Sequence, residues 1–212
     1  MSGSTGPVGL APLDLAALLC SRVCHDLISP VGAIVNGLEV LEEDKDEETR
    51  AFALELIKKS ARQASARLQF CRLAFGAAGS AGAQIETADA EQVLRGLFED
   101  EKIKITWTIA PGLRPKNQVK LLLNMLLIAA AAIPRGGTLA VEPIDGDRGF
   151  RIIGAGLNAR LTTTTADLLV GNPAQPVDAH GIQPFYTGLL ARDCGLTLSA
   201  SAEGETVVIA AR

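Results

Sequence analysis

His25 is the residue of this chain best suited to covalent chemistry. It lies in the stretch Leu18-Leu19-Cys20-Ser21-Arg22-Val23-Cys24-His25-Asp26-Leu27-Ile28-Ser29-Pro30. Free imidazole titrates near about 6.5, so at physiological pH most of it has an unprotonated nitrogen that can attack an acyl phosphate. Asp26, the next residue and about 100° further round a helix, could orient the ring or accept its proton through a hydrogen bond. The bland alternative for Asp26 is a solvated helix charge. Arg22 and Ser29 stand at i−3 and i+4 from His25 and share its face. Arg22 could steady a phosphohistidine bearing roughly two negative charges, or simply be solvated. Further along that face, Gly32, Ala33 and Asn36 are small enough to let a partner helix approach closely, although a glycine there also weakens the helix by about 1 kcal/mol relative to alanine.

These side chains need an element that turns His25 outward, and the heptad pattern supplies one. Ala16, Cys20, Val23, Leu27, Pro30, Ile34, Gly37 and Leu41 step alternately by four and three, the spacing that keeps one helical face against a partner. Burying Val23 and Leu27 puts His25 roughly 160° to 200° away, facing solvent. Pro30 removes the amide that would bond to the Asp26 carbonyl and crowds that carbonyl, so a kink or a loosened turn is expected just beyond His25. The kink could aim the imidazole or be a tolerated irregularity.

Asp14 could cap this first helix, which runs to about Glu43. The acidic turn Glu42-Glu43-Asp44-Lys45-Asp46-Glu47-Glu48 leads into a second helix ending near Gly76. Its own stripe reads Leu54, Ile57, Ala61, Ala64, Leu68, Cys71 and Phe75, with Lys58, Lys59, Arg62 and Arg67 off it. Two such helices make an antiparallel hairpin. A lone hairpin leaves half of each seam wet, so two copies are expected to pair into a four-helix bundle. The division expected is a flexible leader over 1–12, the hairpin over 13–76, a Gly/Ala/Ser-rich linker over 77–86 and a second domain over 87–212.

In that second domain the pattern predicts helices over 89–100, 117–133 and 182–194. Strands are expected over 102–109, up to Ile144, over 150–154, 196–201 and 206–211, with Asp145-Gly146-Asp147 as a hairpin turn. The run Thr162 to Thr165 could cap a helix leading into Asp167-Leu168-Leu169. The fold class is α+β: a long helical hairpin followed by an α/β sandwich with helices on one face of a mixed sheet.

Composition sets limits. With 48% apolar and 21% charged residues over 212 positions, the chain can bury a real core. A formal charge of −4 gives no reason to expect a nucleic-acid partner. Cys20, Cys24, Cys71 and Cys194 read as free thiols of a reducing compartment. Three residues separate Cys20 from Cys24, where haem attachment requires two, and no zinc-ligand spacing appears. The leader lacks the basic start of a signal peptide. The run from Leu121 to Ile133 is shorter than the roughly 18 to 20 residues of a membrane helix. No membrane partner is expected, and a cytoplasmic protein is. His180, the only other histidine, sits between Pro176 and Pro184 with no acidic neighbour at helical spacing and reads as structural or solvated.

His25-Asp26-Leu27-Ile28-Ser29-Pro30 resembles the H-box of histidine kinase dimerisation domains, in which a histidine, an acidic residue and a proline five positions on lie on the first hairpin helix. The second domain resembles the kinase ATP-binding domain in degenerate form. Lys120-Leu121-Leu122-Leu123-Asn124-Met125-Leu126-Leu127-Ile128 looks like the helix that in kinases carries two asparagines, with Ile128 in the place of the second. Ile152-Ile153-Gly154-Ala155-Gly156 looks like the box in which an aspartate accepts the adenine amino group, with Ile152 in its place. A glycine-rich lid is not found before Tyr186-Thr187-Gly188-Leu189-Leu190. An isoleucine can neither ligate magnesium nor accept a hydrogen bond.

A kinase-like hairpin with a nucleotide-blind second domain, and the Phe75-Gly76-Ala77 exit from helix two, resemble the dimeric histidine phosphotransferases of the ChpT type, from alphaproteobacterial phosphorelays. The resemblance implies a homodimer that takes a phosphoryl group from a hybrid kinase's receiver domain and passes it to response-regulator receivers. His25 would be the carrier, with Asp26 beside it. No cofactor or metal would be bound by this chain, Mg2+ coming with the receiver. Two other readings stay open: a divergent ATP-dependent sensor histidine kinase, and a dimeric receiver-binding module without chemistry.

Overall fold

A computed structural model describes residues 10–76, 83–98, 102–146, 148–171 and 176–212. Helices α1 (Pro12–Glu43) and α2 (Glu47–Ala74) form the antiparallel hairpin. Pro12 opens α1 at the position where a missing amide costs nothing. Asp14, expected as the cap, instead lies in the first turn, where its charge complements the helix dipole. Asp46 caps α2 by accepting the Thr49 amide at 2.9 Å.

The seam corrects two sequence expectations. On α1, Pro30 and Gly37 are buried and Val23, Leu27, Ile34 and Leu41 are partly buried, but Ala16 and Cys20 are exposed. The α2 helix stops at Ala74, which leaves this end of α1 with little of it to face. There α1 instead lays Leu15, Leu18 and Leu19 against Leu168, Ile182 and Phe185 of the second domain. On α2 the buried stripe is Ala53, Ser60, Ala64, Cys71 and Ala74, with Ile57 and Arg67 partly buried along it. Leu54, Ala61 and Leu68, expected inside, are one residue out of phase and exposed. Small residues on the true stripe let the backbones approach: a Cβ on Gly37 would meet Ile57 Cγ1 at 2.7 Å and the Ala53 carbonyl at 3.3 Å.

A second apolar stripe is therefore left uncovered. Ile28, Val31, Val35 and Leu38 on α1 each follow a seam residue by one, as Leu54, Ala61 and Leu68 do on α2. Stepping one residue past the seam turns a helix by about 100°, and in antiparallel helices that turn brings both stripes to the same side of the hairpin. Ile28 is 70% exposed and Leu68 52%. An 18-residue window of α1 reaches a mean hydropathy of 1.4, apolar enough for a membrane span by length and composition, with only 6% of it buried. This run is longer than the apolar stretch from Leu121 to Ile133.

The second half is a two-layer sandwich. Strands β2 (Ile103–Trp107), β4 (Gly137–Ile144), β5 (Gly149–Ala155), β6 (Leu198–Glu203) and β7 (Thr206–Ala211) form a sheet ordered β2-β4-β5-β7-β6. The β2–β4 pair is parallel and the others antiparallel. Strands β1 (Gln84–Glu86) and β3 (Leu113–Pro115) make a separate antiparallel ribbon, so residues 84–86, expected in the linker, are paired strand. The leader over 1–9 and the linker over 77–82 lie outside the described residues.

One face of the large sheet is buried through Leu139, Val141, Phe150, Ile152, Val207 and Ile209. The other carries the Glu142–Arg151 ion pair at 2.6 Å, the alternation of a half-covered sheet. Helix α4 (Lys116–Ala132) is buried almost all round, because α3 (Thr87–Phe98) and α6 (Ile182–Asp193) flank it while α2 and the sheet cover it. The short α5 (Thr163–Leu169) is capped by Thr162, whose hydroxyl accepts the Thr165 amide at 3.1 Å. Phe70 and Ala74 of α2 belong to the same core as Leu94, Leu122 and Ile152, so hairpin and sandwich share one hydrophobic interior.

Candidate active site

The His25 side chain is 75% exposed and Asp26 only 19%. Asp26 bridges two neighbours: Oδ1 stands 3.4 Å from His25 Nδ1, and Oδ2 accepts from Arg22 Nε at 3.1 Å. Carboxylate and guanidinium are one turn apart on α1, the spacing at which such pairs meet. With Nδ1 turned to the carboxylate, Nε2 is the nitrogen left free. A proton held on Nδ1 by an acceptor leaves the lone pair on Nε2, which is the tautomer a nucleophile needs. Arg22, expected to face an incoming phosphoryl group, is thus tied to Asp26. Ser29 and Asn36 are exposed, and Gly32 and Ala33 partly so. A Cβ on Gly32 would meet nothing within 4 Å.

Pro30 leaves the Asp26 carbonyl without its usual helical donor. Arg67 of α2, off the stripe expected from the sequence, supplies a replacement: its Nη1 donates to that carbonyl at 3.1 Å. The two helices are therefore clamped at the residue that holds the imidazole. The sequence carried half of this signal, since the proline announces a carbonyl in need of a donor, but it could not name the donor on another helix. Beneath the clamp, Arg22, Asp26, Arg67, Phe70, Cys71 and Leu97 line a cavity of about 130 Å³. Burial, reinforced by the negative charge of Asp26, pushes the Cys71 thiol up to about 11, so it stays protonated. Replacing Arg67 with leucine is expected to cost about 1 to 3 kcal/mol, the penalty for a carbonyl left unsatisfied. A urea unfolding series checks it, and a loss below a few tenths of a kcal/mol would show that water serves the carbonyl equally well.

His180, read from the sequence as structural or solvated, is brought beside His25. The two ring centroids are 6.4 Å apart, edge to face at 77°. Its main chain is fixed by Asp178, whose Oδ1 accepts the amides of His180 at 3.0 Å and Gly181 at 2.7 Å. Those bonds, the Gly181 amide first, hold the Asp178 carboxyl below its usual range. No local pattern could reveal this neighbour, because it depends on α6 docking against α1.

The degenerate positions of the second domain are part of the core. Ile152 is fully buried on β5 and Ile128 nearly so on α4. Asn124 is buried too, and its amide donates to the carbonyls of Ala74 at 3.1 Å and Lys120 at 2.9 Å, tying the end of α2 to α4.

A helical hairpin that presents an imidazole on its surface, fused to an α/β sandwich, is the layout of a protein that passes phosphoryl groups through histidine. Residues 87–206 match the family model described as the histidine phosphotransferase C-terminal domain. The protein phosphotransferase ChpT of Brucella abortus (strain 2308) is 56% identical over 208 residues, covering 97% of this chain and 98% of that one. A solved bacterial phosphotransferase is 53% identical, covers 97% of this chain and 99% of its own, and superposes with a TM-score of 0.88. The chain belongs to the ChpT-type histidine phosphotransferases. It is a phosphotransferase of phosphorelay signalling, a system whose partners are of the receiver type.

Proposed function

We propose that His25 carries the phosphoryl group, moving it between receiver-domain aspartates without ATP. The observation that supports this most is the surface imidazole with Nδ1 beside Asp26 and Nε2 free. The Nε2 lone pair attacks phosphorus of a receiver's aspartyl phosphate. The bond from phosphorus to the aspartyl oxygen breaks, and its electron pair leaves on the receiver carboxylate. The ring becomes a phosphoimidazolium whose positive charge faces the Asp26 carboxylate, which stabilises it or takes the Nδ1 proton. Transfer onward reverses these steps on a second receiver. Mg2+ is expected to arrive with the receiver, and the catalytic work of this chain is positioning.

The donor is expected to be the receiver domain of a hybrid histidine kinase, and the acceptors response-regulator receivers. Ser29, Gly32, Ala33 and Asn36 continue the histidine face down α1 and are offered as the docking surface, with Arg22 at its head. The buried isoleucines at 128 and 152 support nucleotide blindness: each packs in the core where the kinase domain needs a ligand.

The incubation that tests the reading mixes this chain with phosphorylated receivers and follows acid-labile, base-stable label. Label on His25 without added nucleotide supports it. Tight ATP binding, or label only in the presence of ATP, sinks it in favour of a kinase. Asp26→Asn is expected to slow transfer about 100-fold, the lower end of what a positioned proton acceptor contributes. Rapid-quench transfer rates check this, and an unchanged rate would reduce Asp26 to a solvated charge.

The uncovered stripe of Ile28, Val31, Val35, Leu38, Leu54, Ala61 and Leu68 supports a homodimer closing as a four-helix bundle. It accounts for the apolar character of α1 without a bilayer, consistent with a cytoplasmic protein. The double substitution Val35→Asp and Leu38→Asp is expected to give a folded monomer, because unpaired charges cannot be buried in such a seam. Sedimentation equilibrium reads the mass, and a dimer surviving both changes would place the interface elsewhere.

A further inference from the structure

We infer that the cleft between α1 and the α4–α6 side of the second domain is a phosphoryl-anion site, in which His180 and Gln183 hold the phosphate carried on His25 until a receiver displaces it. The inference rests on His25 being the carrier. The cleft has a volume of about 270 Å³, and Arg22, Arg160, Thr162, Thr165, His180 and Gln183 supply its polar lining. Its donors outnumber its acceptors, and it holds no carboxylate. Asp178, the acid nearest His180 in sequence, has its Oδ1 engaged by two backbone amides.

Two independent observations point to a ligand. Gln183 is 5% exposed, yet among the described residues its Nε2 has no hydrogen-bond partner, an expensive state for a buried amide. The His180 ring abuts that of His25 at 6.4 Å between centroids, and Arg22 both lines the cleft and ties Asp26. His25 therefore has two of the cleft's lining residues as neighbours, His180 directly and Arg22 through Asp26, with Nε2 as its phosphorylatable nitrogen. On this inference a phosphoryl group on Nε2 extends the ring by about the length of one bond to phosphorus and one to oxygen, and its oxygens take charge-assisted hydrogen bonds from the cleft's donors. No new bond is made in this step. The dianion changes partners from water to fixed N–H groups.

The second domain thereby becomes a resting place for the phosphate. Packing of α1 on α5 and α6 through Leu15, Leu18, Leu19, Leu168 and Phe185 keeps it in the same chain as the carrier.

The test uses the full chain, labelled with 15N in histidine and glutamine and phosphorylated on His25 by potassium phosphoramidate or a phosphorylated receiver. The resonances of the His180 ring and of the Gln183 side-chain amide are expected to move on phosphorylation. His180→Ala and Gln183→Leu should each lower the equilibrium constant for transfer onto His25 about tenfold, the worth of one charge-assisted hydrogen bond, and shift the 31P resonance of phospho-His25. His180→Gln, which keeps a donor, should restore most of the loss. If His25 is phosphorylated while both resonances stay fixed, the cleft holds no phosphate and the inference falls alone. Movement only on adding unphosphorylated receiver would overturn it too, making His180 part of the docking surface. If His25 takes no phosphoryl group from either donor, the reading of the site falls with it.

Discussion

Replacing His25 with alanine should abolish phosphoryl transfer, by at least about 1000-fold, while leaving the fold intact. Among the described residues no other group is placed to take over. His180 lies beside the site, but its acidic neighbour, Asp178, binds backbone amides. Cys20 and Cys24 are exposed thiols with no base at hydrogen-bonding distance among the described residues. Nucleophilic catalysis divides one transfer between two separate receivers into two steps, so loss of the nucleophile removes the route altogether. The fold should not notice. The ring is 75% exposed, and alanine improves helix propensity by a few tenths of a kcal/mol. Transfer measured with charged receivers, beside circular dichroism of the same samples, decides the matter. Residual transfer within tenfold of the unsubstituted rate would mean that the phosphate travels by another residue. Loss of transfer with receiver binding retained would dispose of the non-catalytic module.

The largest effect on stability is expected at Phe70. It is 2% exposed, projects from α2, and joins Leu94 of α3 and Leu122 and Leu126 of α4 in the common core. Truncation to alanine should cost about 3 to 5 kcal/mol, because the transferred apolar area is lost and a cavity remains. It would also enlarge the void under Asp26 that Phe70 already lines, so transfer should slow as well. Since one interior serves hairpin and sandwich, the loss should appear in a single transition. Far-ultraviolet dichroism draws just over half of its helical signal from α1 and α2, while Trp107, the only tryptophan, sits on β2 of the sandwich and reports by fluorescence alone. Coincident curves are expected for both proteins. Separate transitions, or a loss under 1 kcal/mol, would show two units that fold independently. Asn124 points the same way, because its buried amide bonds to the Ala74 carbonyl across the junction.

The hairpin was legible because its information is local. Steps of four and three place Val23, Leu27, Pro30, Ile34, Gly37 and Leu41 on one stripe whatever the partner, and His25 is carried to the other side by the same arithmetic. The α2 stripe was harder. Leu54 and Leu68 are apolar at heptad spacing, whereas the stripe one residue before them carries Ser60 and Arg67, so hydropathy alone favours the phase that the fold does not use. The close approach of Gly37 to Ala53 and Ile57 decided the phase, and closeness of approach is a property of two helices, not one. The β1–β3 ribbon escaped for another reason: three residues are too few for an alternation to register, and neither strand has a hydrophobic face of its own to announce.

By itself, then, the sequence determined the hairpin, the outward imidazole, the acid beside it, and the isoleucines where a nucleotide site would need ligands. Each follows from residue type and helical phase, quantities carried by the chain at short range. Tertiary structure alone decided that Arg67 would serve the carbonyl freed by Pro30, that Phe70 would root the hairpin in the sandwich, and that His180 would come to stand beside His25. Those pairings join residues far apart along the chain, and they arise only when α4 and α6 pack against the hairpin and exclude water from the junction.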